Sequence, residues 1–376
     1  MVAAFAAAGT RCDTWRFTRG GIRGLMAERQ LAKGLFREMT SAHHPSNARL
    51  DVLGLGNAIV DVVSGADERL LDRLGLIKGT MHLVEEERII ELYAAMGPAV
   101  EISGGSCANT MAALASLSAR VGYVGKVQSD QLGEVFAHDI RAAGVEFATP
   151  PLRGGPATAR CLILVTPDAQ RTMSTYLGAC VELGPDDVEE AQVADAAIVY
   201  LEGYLWDRPG AKAACLKAAE IAHRQGRAVA LTLSDPFCVD RWRDEFALLI
   251  DEHVDILIAN EVEVTSLYRV NDFEEAVEEA RRHCRMAALT RGADGSVLVS
   301  GPELHRIAAA PVERLVDSTG AGDLYAAGLL YGQTRGWPLE ACGRLASLAA
   351  ARILGQYGAR AEHPLAPLVH RVGRTG

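Results

Sequence analysis

Residues 317–331 read Asp-Ser-Thr-Gly-Ala-Gly-Asp-Leu-Tyr-Ala-Ala-Gly-Leu-Leu-Tyr, a glycine-rich loop that opens an apolar helix. Gly320 and Gly322 allow the backbone to turn tightly and to approach a ligand closely. A helix that begins here directs free N–H groups and its positive dipole end toward an anion, with Asp323 beside it. Phosphoryl transfer needs both elements, a cradle for charge and a carboxylate that accepts the hydroxyl proton. The alternative, a glycine turn with Asp323 as a helix cap, explains the four residues GxGD but not the whole string.

Short apolar runs alternate with helical stretches through most of the chain. The runs that read as buried strands are residues 50–56, 198–201, 228–232, 256–259 and 287–290. Helices are predicted over 210–225 and over 272–284, where Asn271 or Asp272 is a suitable N-cap. Strands and helices in this alternation indicate βαβ units and a mainly parallel central sheet flanked by helices, an α/β fold.

A different pattern interrupts this series at residues 158–176. Two strands are predicted there around the turn Thr166-Pro167-Asp168-Ala169, which is typical of a hairpin. Together with the segment after the first strand, this hairpin predicts a small β-rich lid over one edge of the main sheet. The lid is expected from parts of about 59–103 and 156–178, within a single domain that spans 49–376.

The composition restricts the partners. A net charge of −10 argues against nucleic acid, because a phosphate backbone favours a basic surface. A membrane is not expected either, since no apolar stretch reaches the roughly 18 to 20 residues of a membrane span. The eight cysteines are scattered without CxxC spacing, which predicts buried thiols, a reducing compartment and a cytoplasmic protein.

The first 48 residues differ from the rest, being rich in arginine, poor in acids and without a regular apolar period. One interpretation is a targeting segment, because such a composition resembles a transit peptide. The other is a disordered or non-native extension, with the working protein beginning near Met39. We expect the second, because nothing before the strand that begins at Arg49 needs packing.

Two other nucleotide-binding motifs are excluded by inspection. The P-loop pattern GxxxxGK[ST] fails around Gly125-Lys126, because Arg120 replaces its first glycine and Val127 stands where a hydroxyl residue is required. The dinucleotide fingerprint GxGxxG fails after Gly54, since Ile59 occupies the position of the third glycine. A nicotinamide oxidoreductase is therefore not expected.

The string at 317–323 resembles the C-terminal signature of the ribokinase-like, or PfkB, kinase family, whose other motifs follow in the family's order over residues 50–362. This resemblance implies a ribokinase-like three-layer fold. It also implies transfer of a phosphate group from ATP to a small-molecule acceptor, with Mg²⁺ as cofactor. It implies Asp323 as the catalytic base and an anion hole formed by Gly320, Ala321 and Gly322. Members are monomers or homodimers, and the sequence does not distinguish the two.

The acceptor site follows from two further resemblances. Gly104-Gly105-Ser106-Cys107-Ala108-Asn109 is similar to the family's N-terminal signature, and Gly56-Asn57 with Asp61 is similar to its acceptor-binding first strand. The residues thereby implied to border the sugar hydroxyls are Asn57, Asp61, Gly104, Gly105, Ser106 and Asn109. Asp61 is the expected partner of two hydroxyl groups.

The nucleotide site is implied by two later motifs. Asn260-Glu261-Val262-Glu263 resembles the family's NxxE element, and residues 290–295 resemble its TxGxxG turn. The residues implied to border ATP are Asn260, Thr290, Gly292 and Gly295. Glu263 is implied to hold Mg²⁺ through water, which suits a hard cation that keeps most of its waters. A monovalent cation, often potassium, is implied near Asp317.

Several strings look most like the adenosine kinase branch, among them residues 56–61, 200–204, 233–237 and 357–360. The favoured reaction is therefore transfer of the γ-phosphate to the primary hydroxyl of adenosine, with a free-sugar kinase for ribose, fructose or ketodeoxygluconate as the alternative. The candidate walls of a base slot are Met173, Tyr176, Leu177 and Phe237. In a sugar kinase, Arg160 and Arg171 would instead meet an acceptor phosphate or carboxylate. A nucleotide-responsive binding protein without catalysis is the remaining alternative.

Overall fold

A computed structural model describes residues 48–168 and 170–372 of the chain. The extension predicted over 1–48 lies outside the described residues except for Ala48, and Ala169 of the predicted hairpin turn lies outside them as well. Within the described residues, no helix is both long enough and apolar enough to cross a membrane. The seven cysteines of this part of the chain are buried, as the sequence predicts.

The strands of the described residues, in chain order, are β1 (Leu50–Leu55), β2 (Ile59–Gly65), β3 (Met81–Leu83), β4 (Ala99–Gly104), β5 (Val121–Val124), β6 (Val145–Phe147), β7 (Ala159–Val165), β8 (Arg171–Tyr176), β9 (Ala196–Glu202), β10 (Ala228–Thr232), β11 (Ile256–Asn260), β12 (Met286–Thr290), β13 (Ser296–Ser300) and β14 (Glu303–Ile307). The helices are α1 (Glu68–Arg73), α2 (Glu86–Ala95), α3 (Ser106–Ser116), α4 (Gln131–Ala142), α5 (Glu190–Ala194), α6 (Pro209–Arg224), α7 (Pro236–His253), α8 (Glu261–Tyr268), α9 (Phe273–His283), α10 (Ala321–Thr334), α11 (Leu339–Leu354) and α12 (Ala366–Val372).

The main sheet has nine strands in the order β14-β13-β12-β11-β10-β9-β1-β5-β6. From β12 to β6 every pairing is parallel, whereas β13 and β14 pair antiparallel at one edge. The predicted α/β sheet is therefore confirmed. Its central strands β1 and β9 are buried on both faces, which is why they read as nearly continuous apolar runs.

Two hydrophobic cores lie on the two sides of this sheet. Alternate residues of one strand enter different cores, as Ile198 and Val199 of β9 do, because successive side chains point to opposite faces. One core is filled mainly by α3, α4, α10 and α11, and the other by α6, α7, α8 and α9. This layering is the predicted three-layer arrangement.

A second sheet of five strands has the order β3-β8-β7-β2-β4. Its strands come from the two segments in which the lid was predicted, and β7 pairs antiparallel with β8 as the predicted hairpin. We call this second sheet the lid sheet. That it covers a bound ligand is part of the function proposed below. Strand β4 ends at Gly104, and helix α3 begins two residues later, so the lid sheet passes directly into a helix of the main layer.

Candidate active site

Residues predicted for the acceptor and nucleotide sites lie along one edge of the main sheet. Asn57 follows β1 by two residues, Glu202 ends β9, Asn260 ends β11 and Thr290 ends β12. Asn260 and Thr290 are direct register partners. In open α/β sheets ligands bind outside the carboxyl ends of the parallel strands. Topology therefore brings together motifs that are more than 200 residues apart in the chain.

Two helix N-termini converge on Asp323. This residue is the third of α10, and its Oδ1 accepts a hydrogen bond from the Ser106 hydroxyl at 2.6 Å. Its Oδ2 accepts a hydrogen bond from Asn109 Nδ2 at 3.1 Å. Ser106 and Asn109 both lie on the first turns of α3. Two predicted acceptor residues thus contact the carboxylate directly in this structure.

The ionisation of Asp323 is balanced between opposing effects. Burial raises its pKa to about 6, while the hydrogen bonds from Ser106 and Asn109 and the charge of Arg360 act in the opposite direction. A carboxylate with this pKa is ionised at neutral pH and still basic enough to accept a proton.

The predicted anion hole lies at the start of α10. Gly320 is the N-cap with φ +80°, and a Cβ there would lie only 2.6 Å from the Ala359 Cβ, so glycine is required. The Ala321 N–H donates to the carbonyl oxygen of Ser318 at 3.2 Å and is already engaged. The Gly322 N–H follows at the second helical position, where the helix supplies no acceptor.

Asp61 lies on the lid sheet, close to the Gly104 backbone. A Cβ on Gly104 would stand 2.4 Å from Asp61 Oδ2, so a side chain there would displace the carboxylate. Gly105 has φ +96°, and a Cβ on it would come within 2.2 Å of the Asn57 carbonyl oxygen. Burial raises the pKa of Asp61 to about 6, and the charges of Arg360 and Arg171 oppose that effect.

Glu202 lies in the string 200–204, for which the sequence predicts no role at the site. It is 1% exposed; its Oε1 accepts from Asn57 Nδ2 at 3.0 Å and its Oε2 accepts from the Cys107 backbone N–H at 2.9 Å. Burial raises its pKa to about 7. The carboxylate therefore fixes the Asn57 amide relative to the first turn of α3. The signal in the sequence was an acid at the end of an apolar strand.

We expect Glu202→Gln to reduce kcat/KM for the acceptor. The glutamine amide presents a donor either to Asn57 or to the Cys107 N–H, and a buried hydrogen bond lost in this way costs about 1–3 kcal/mol. That cost corresponds to roughly tenfold to a hundredfold in kcat/KM. Steady-state kinetics would measure it, with the exposed Glu189→Gln as the matched control. An unchanged kcat/KM would contradict the positioning role.

Glu263 and Asn260 form a reciprocal cap at the start of α8. The Asn260 backbone N–H and Nδ2 donate to Glu263 at 2.9 and 2.6 Å, and the Glu263 N–H donates to Asn260 Oδ1 at 2.9 Å. Burial raises the pKa of Glu263 to about 7. Each carboxylate oxygen keeps a lone pair for water, so a hydrated Mg²⁺ beside it fits the donor set. No group of three or more His, Cys, Asp or Glu side chains suited to a metal occurs in the described residues.

Asp317 forms an ion pair with Arg171 of the lid sheet. Its Oδ2 pairs with Arg171 Nη2 at 2.6 Å and accepts the Gly358 N–H at 2.9 Å, while its Oδ1 accepts from the Thr319 N–H and hydroxyl. Each side chain of the ion pair is only 9% exposed. The positive charge beside Asp317 in this structure is therefore a guanidinium, and potassium at this position stays a prediction.

The predicted nucleotide turn joins β12 to β13. Thr290 ends β12, Gly292 begins a single 3₁₀ turn, and Gly295 leads into β13. Arg291 pairs with Glu261 of α8 at 3.3 Å, which connects this turn to the Asn260–Glu263 element. The two predicted nucleotide motifs are thus neighbours, and their contact with ATP stays a prediction.

Comparison with known proteins identifies the family. The family described as pfkB family carbohydrate kinase matches residues 91–365. The chain belongs to this PfkB family. It is accordingly a phosphotransferase that uses ATP and an alcohol acceptor of the sugar or nucleoside class, and members typically require Mg²⁺.

Individual relatives agree with this assignment, but their names differ in the acceptor, which is a sugar in some and adenosine in others. Adenosine kinase from Sinorhizobium meliloti is 53% identical with a TM-score of 0.80, covering 86% of this chain and 99% of its own. A probable sugar kinase from Rhizobium etli is 49% identical, also at 0.80, covering 87% of this chain and 99% of its own. Adenosine kinase 1 of Arabidopsis thaliana is 25% identical over 82% of this chain and 94% of its own length. The ribokinase-like fold prediction is confirmed by these structural neighbours.

Proposed function

We propose that this kinase transfers the γ-phosphate of ATP to the 5′-hydroxyl of adenosine, giving AMP and ADP. The 53% identical Sinorhizobium meliloti protein, which is named an adenosine kinase, supports the proposal. The observation that carries it is the chemistry of the lid-sheet face beside Asp61, which we call the acceptor face.

The acceptor face is apolar around Asp61. Register partners lie on one face of a sheet, and Asp61 is the partner of Ile102 on β4 and Cys161 on β7. The same register adds Thr175, whose hydroxyl donates to Cys161 Sγ at 3.2 Å, and the apolar side chains Val63, Val100, Ile163 and Met173. A flat aromatic base can pack on such a surface, whereas an acceptor phosphate or carboxylate requires a cation there.

The lid arginines do not supply a free cation. Arg160 is the register partner of Tyr176 on the opposite face, where its guanidinium lies over the Tyr93 and Tyr176 rings. Arg171 is the one cation that the five described strands of the lid sheet bring to the acceptor face, and Asp317 already binds it. This charge distribution favours a neutral nucleoside over an acidic sugar.

The residues predicted to line the base slot lie in different places relative to the acceptor face. Met173 lies on the acceptor face and remains a candidate wall. Tyr176 is on the other face, so its assignment as a wall was wrong. Phe237 is 74% exposed at the start of α7, beyond the lid sheet. The face of Tyr176 follows from the register of β8, since residues of a strand alternate between faces.

In the proposed reaction the 5′-hydroxyl oxygen attacks the γ-phosphorus, and the bond from that phosphorus to the bridging oxygen of ADP breaks. The hydroxyl proton passes to the Asp323 carboxylate, and Asp61 holds the ribose 2′- and 3′-hydroxyls. N–H groups and the dipole at the start of α10 stabilise charge on the transferred group. Glu263 would hold Mg²⁺ through water, and the ion would supply neutralisation of the phosphate charge. Coverage by the lid sheet excludes water that would otherwise hydrolyse ATP.

A panel of acceptors tests the proposal. ADP release from ATP and Mg²⁺ would be measured with adenosine, inosine, guanosine, ribose, fructose and ketodeoxygluconate, with Asp323→Asn as the blank. We expect adenosine to give the highest kcat/KM. Preference for a free sugar would retain the kinase and overturn the nucleoside assignment, whereas binding of ATP without any turnover would favour a non-catalytic binding protein.

A further inference from the structure

Arg360 lies in the segment after α11 and reaches into both parts of the acceptor site. Its Nε and Nη2 donate to the carbonyl oxygen of Ser103 at 3.0 and 2.7 Å, and Nη2 also donates to the Ser103 hydroxyl at 2.9 Å. Its Nη1 donates to the carbonyl oxygen of Ala108 at 2.9 Å. One planar guanidinium therefore ties β4 of the lid sheet to the first turn of α3, a use of the arginine fork that lysine does not reproduce.

Ser103 is fixed from its other side by Asp139 of α4. Asp139 Oδ2 accepts the Ser103 N–H at 2.8 Å and the Ser103 hydroxyl at 2.5 Å. Immediately after Ser103 the chain passes from β4 into α3 through Gly104 and Gly105. Arg360 and Asp139 thus fix the connection between the lid sheet and α3, the helix whose Ser106 and Asn109 donate to Asp323.

The same guanidinium is the main opposing charge for both site carboxylates. Burial raises the pKa of Asp61 and of Asp323, and the Arg360 charge acts against this rise in each case. Conversely, Asp139, Asp61 and Asp323 favour the charged form of Arg360, whose own pKa is lowered by burial. The charge and the hydrogen bonds therefore come from one guanidinium.

Other groups around the two carboxylates act more narrowly. Arg171 favours the ionised form of Asp61, and Ser106 and Asn109 donate to Asp323. Asp323 and Glu202 disfavour each other's ionised forms, and Asp61 and Asp323 do the same. The remaining titratable neighbours are Cys107, Cys161 and Tyr200, whose pKa values burial raises.

We propose that Arg360 is a positioning residue for phosphoryl transfer, which fixes the joint between β4 and α3 and supplies positive charge to the site of Asp61 and Asp323. The inference rests on the roles proposed above for these two carboxylates. Arg360 ends the string 357–360, for which the sequence predicts no role at the site.

Two substitutions separate charge from hydrogen-bond geometry. Arg360→Gln removes the charge and retains N–H donors, whereas Arg360→Lys retains the charge and loses the fork. For wild type we expect kcat/KM to fall below about pH 6, because a protonated Asp323 cannot act as a base. Since an opposite charge nearby favours the ionised carboxylate, the Gln variant should shift this acid limb to higher pH. The Lys variant should keep the limb and lose roughly tenfold in kcat/KM.

The pH dependence of unfolding provides a measurement that needs no turnover. A carboxyl group whose folded pKa exceeds its unfolded value stabilises the protein below the unfolded value and loses that stabilisation as pH rises through the folded one. For Asp61 and Asp323 this window is about pH 4 to 6 in wild type. In Arg360→Gln the window should extend higher, so Tm should fall more between pH 6 and 7.5 than in wild type. Arg352→Gln, an exposed arginine on α11, is the control.

The outcomes distinguish the two proposals. If no acceptor supports turnover, the adenosine kinase proposal fails, and the Tm comparison still decides whether Arg360 controls the ionisation of the site. The role of Arg360 would be overturned if Arg360→Gln had the same pH dependence of kcat/KM as wild type, after each curve is scaled to its maximum, and also the same pH dependence of Tm. If the Gln variant does not fold, an acid limb shifted by a unit or more in Arg360→Lys, where the charge is kept, would also overturn it.

Discussion

Asp323→Asn is expected to lower kcat by about 10²- to 10⁴-fold, the usual contribution of a general acid or base. The substitution preserves the shape of the side chain and removes the group that accepts the hydroxyl proton. Because Asp323 is proposed to touch the acceptor hydroxyl and not the adenine or ribose of ATP, the Kd for ATP should change by less than about threefold, a difference near RT.

The neighbourhood of Asp323 allows this variant to fold. Asn109 donates its Nδ2 to the carboxylate, while its Oδ1 is buried with no partner among the described residues. Rotation of the Asn109 amide by 180° would direct Oδ1 at the new asparagine amide. Ser106 would still donate to the remaining oxygen. No buried donor is then left facing another donor.

Single-turnover kinetics and calorimetric ATP binding would measure this prediction, with the exposed Asp186→Asn as the matched control. The control should retain wild-type turnover. If Asp323→Asn retained turnover within a few-fold of wild type, the proton would have to go elsewhere and Asp323 would serve only as a structural link between α3 and α10.

Asp61→Asn is expected to weaken binding of the acceptor and to lower kcat/KM for adenosine by about 10²-fold or more. A hydrogen bond to a charged group contributes about 1.5–3 kcal/mol, and the proposed contact involves two ribose hydroxyls. Asp61 lies on the lid sheet beside Gly104 and is not bonded to Asp323 or Asn109. The loss should therefore appear mainly in KM for adenosine, with KM for ATP nearly unchanged.

An acceptor without the hydroxyls supplies the control. With 2′,3′-dideoxyadenosine, wild type and Asp61→Asn should differ by less than about threefold, because the interaction that the substitution removes is already absent. A loss as large for the dideoxy compound as for adenosine would mean that Asp61 supports the lid sheet and does not bind ribose.

Much of the site was predictable because it depends on local backbone chemistry. The loop at 317–323 identifies a helix N-terminus, and Gly105 and Gly320 have the positive φ values that glycine tolerates. The helix over residues 272–284 was also predictable, since Asp272 caps it as expected. Patterns of this kind are written in neighbouring residues, so they can be recognised without the fold.

Residues whose partners are distant in sequence were not predictable in the same way. Glu202 acts on Asn57, which lies 145 residues away, and Arg360 acts on Ser103, which lies 257 residues away. Arg160 and Arg171 looked equivalent in sequence, yet the register of β7 and β8 turns one away from Asp61 and the other toward Asp317. A shift of one residue in either strand would move the arginine of that strand to the other face.

The sequence by itself determined the α/β class, the order of the elements, the glycine-rich loop and the family to which the chain is similar. Those features follow from apolar periodicity and from the backbone freedom of glycine, which are local properties. Only the tertiary structure decided which charges meet. Glu202 is buried, and Arg360 and the Arg171–Asp317 pair are partly buried; a charge withdrawn from water is tolerated only where partners from other elements converge on it.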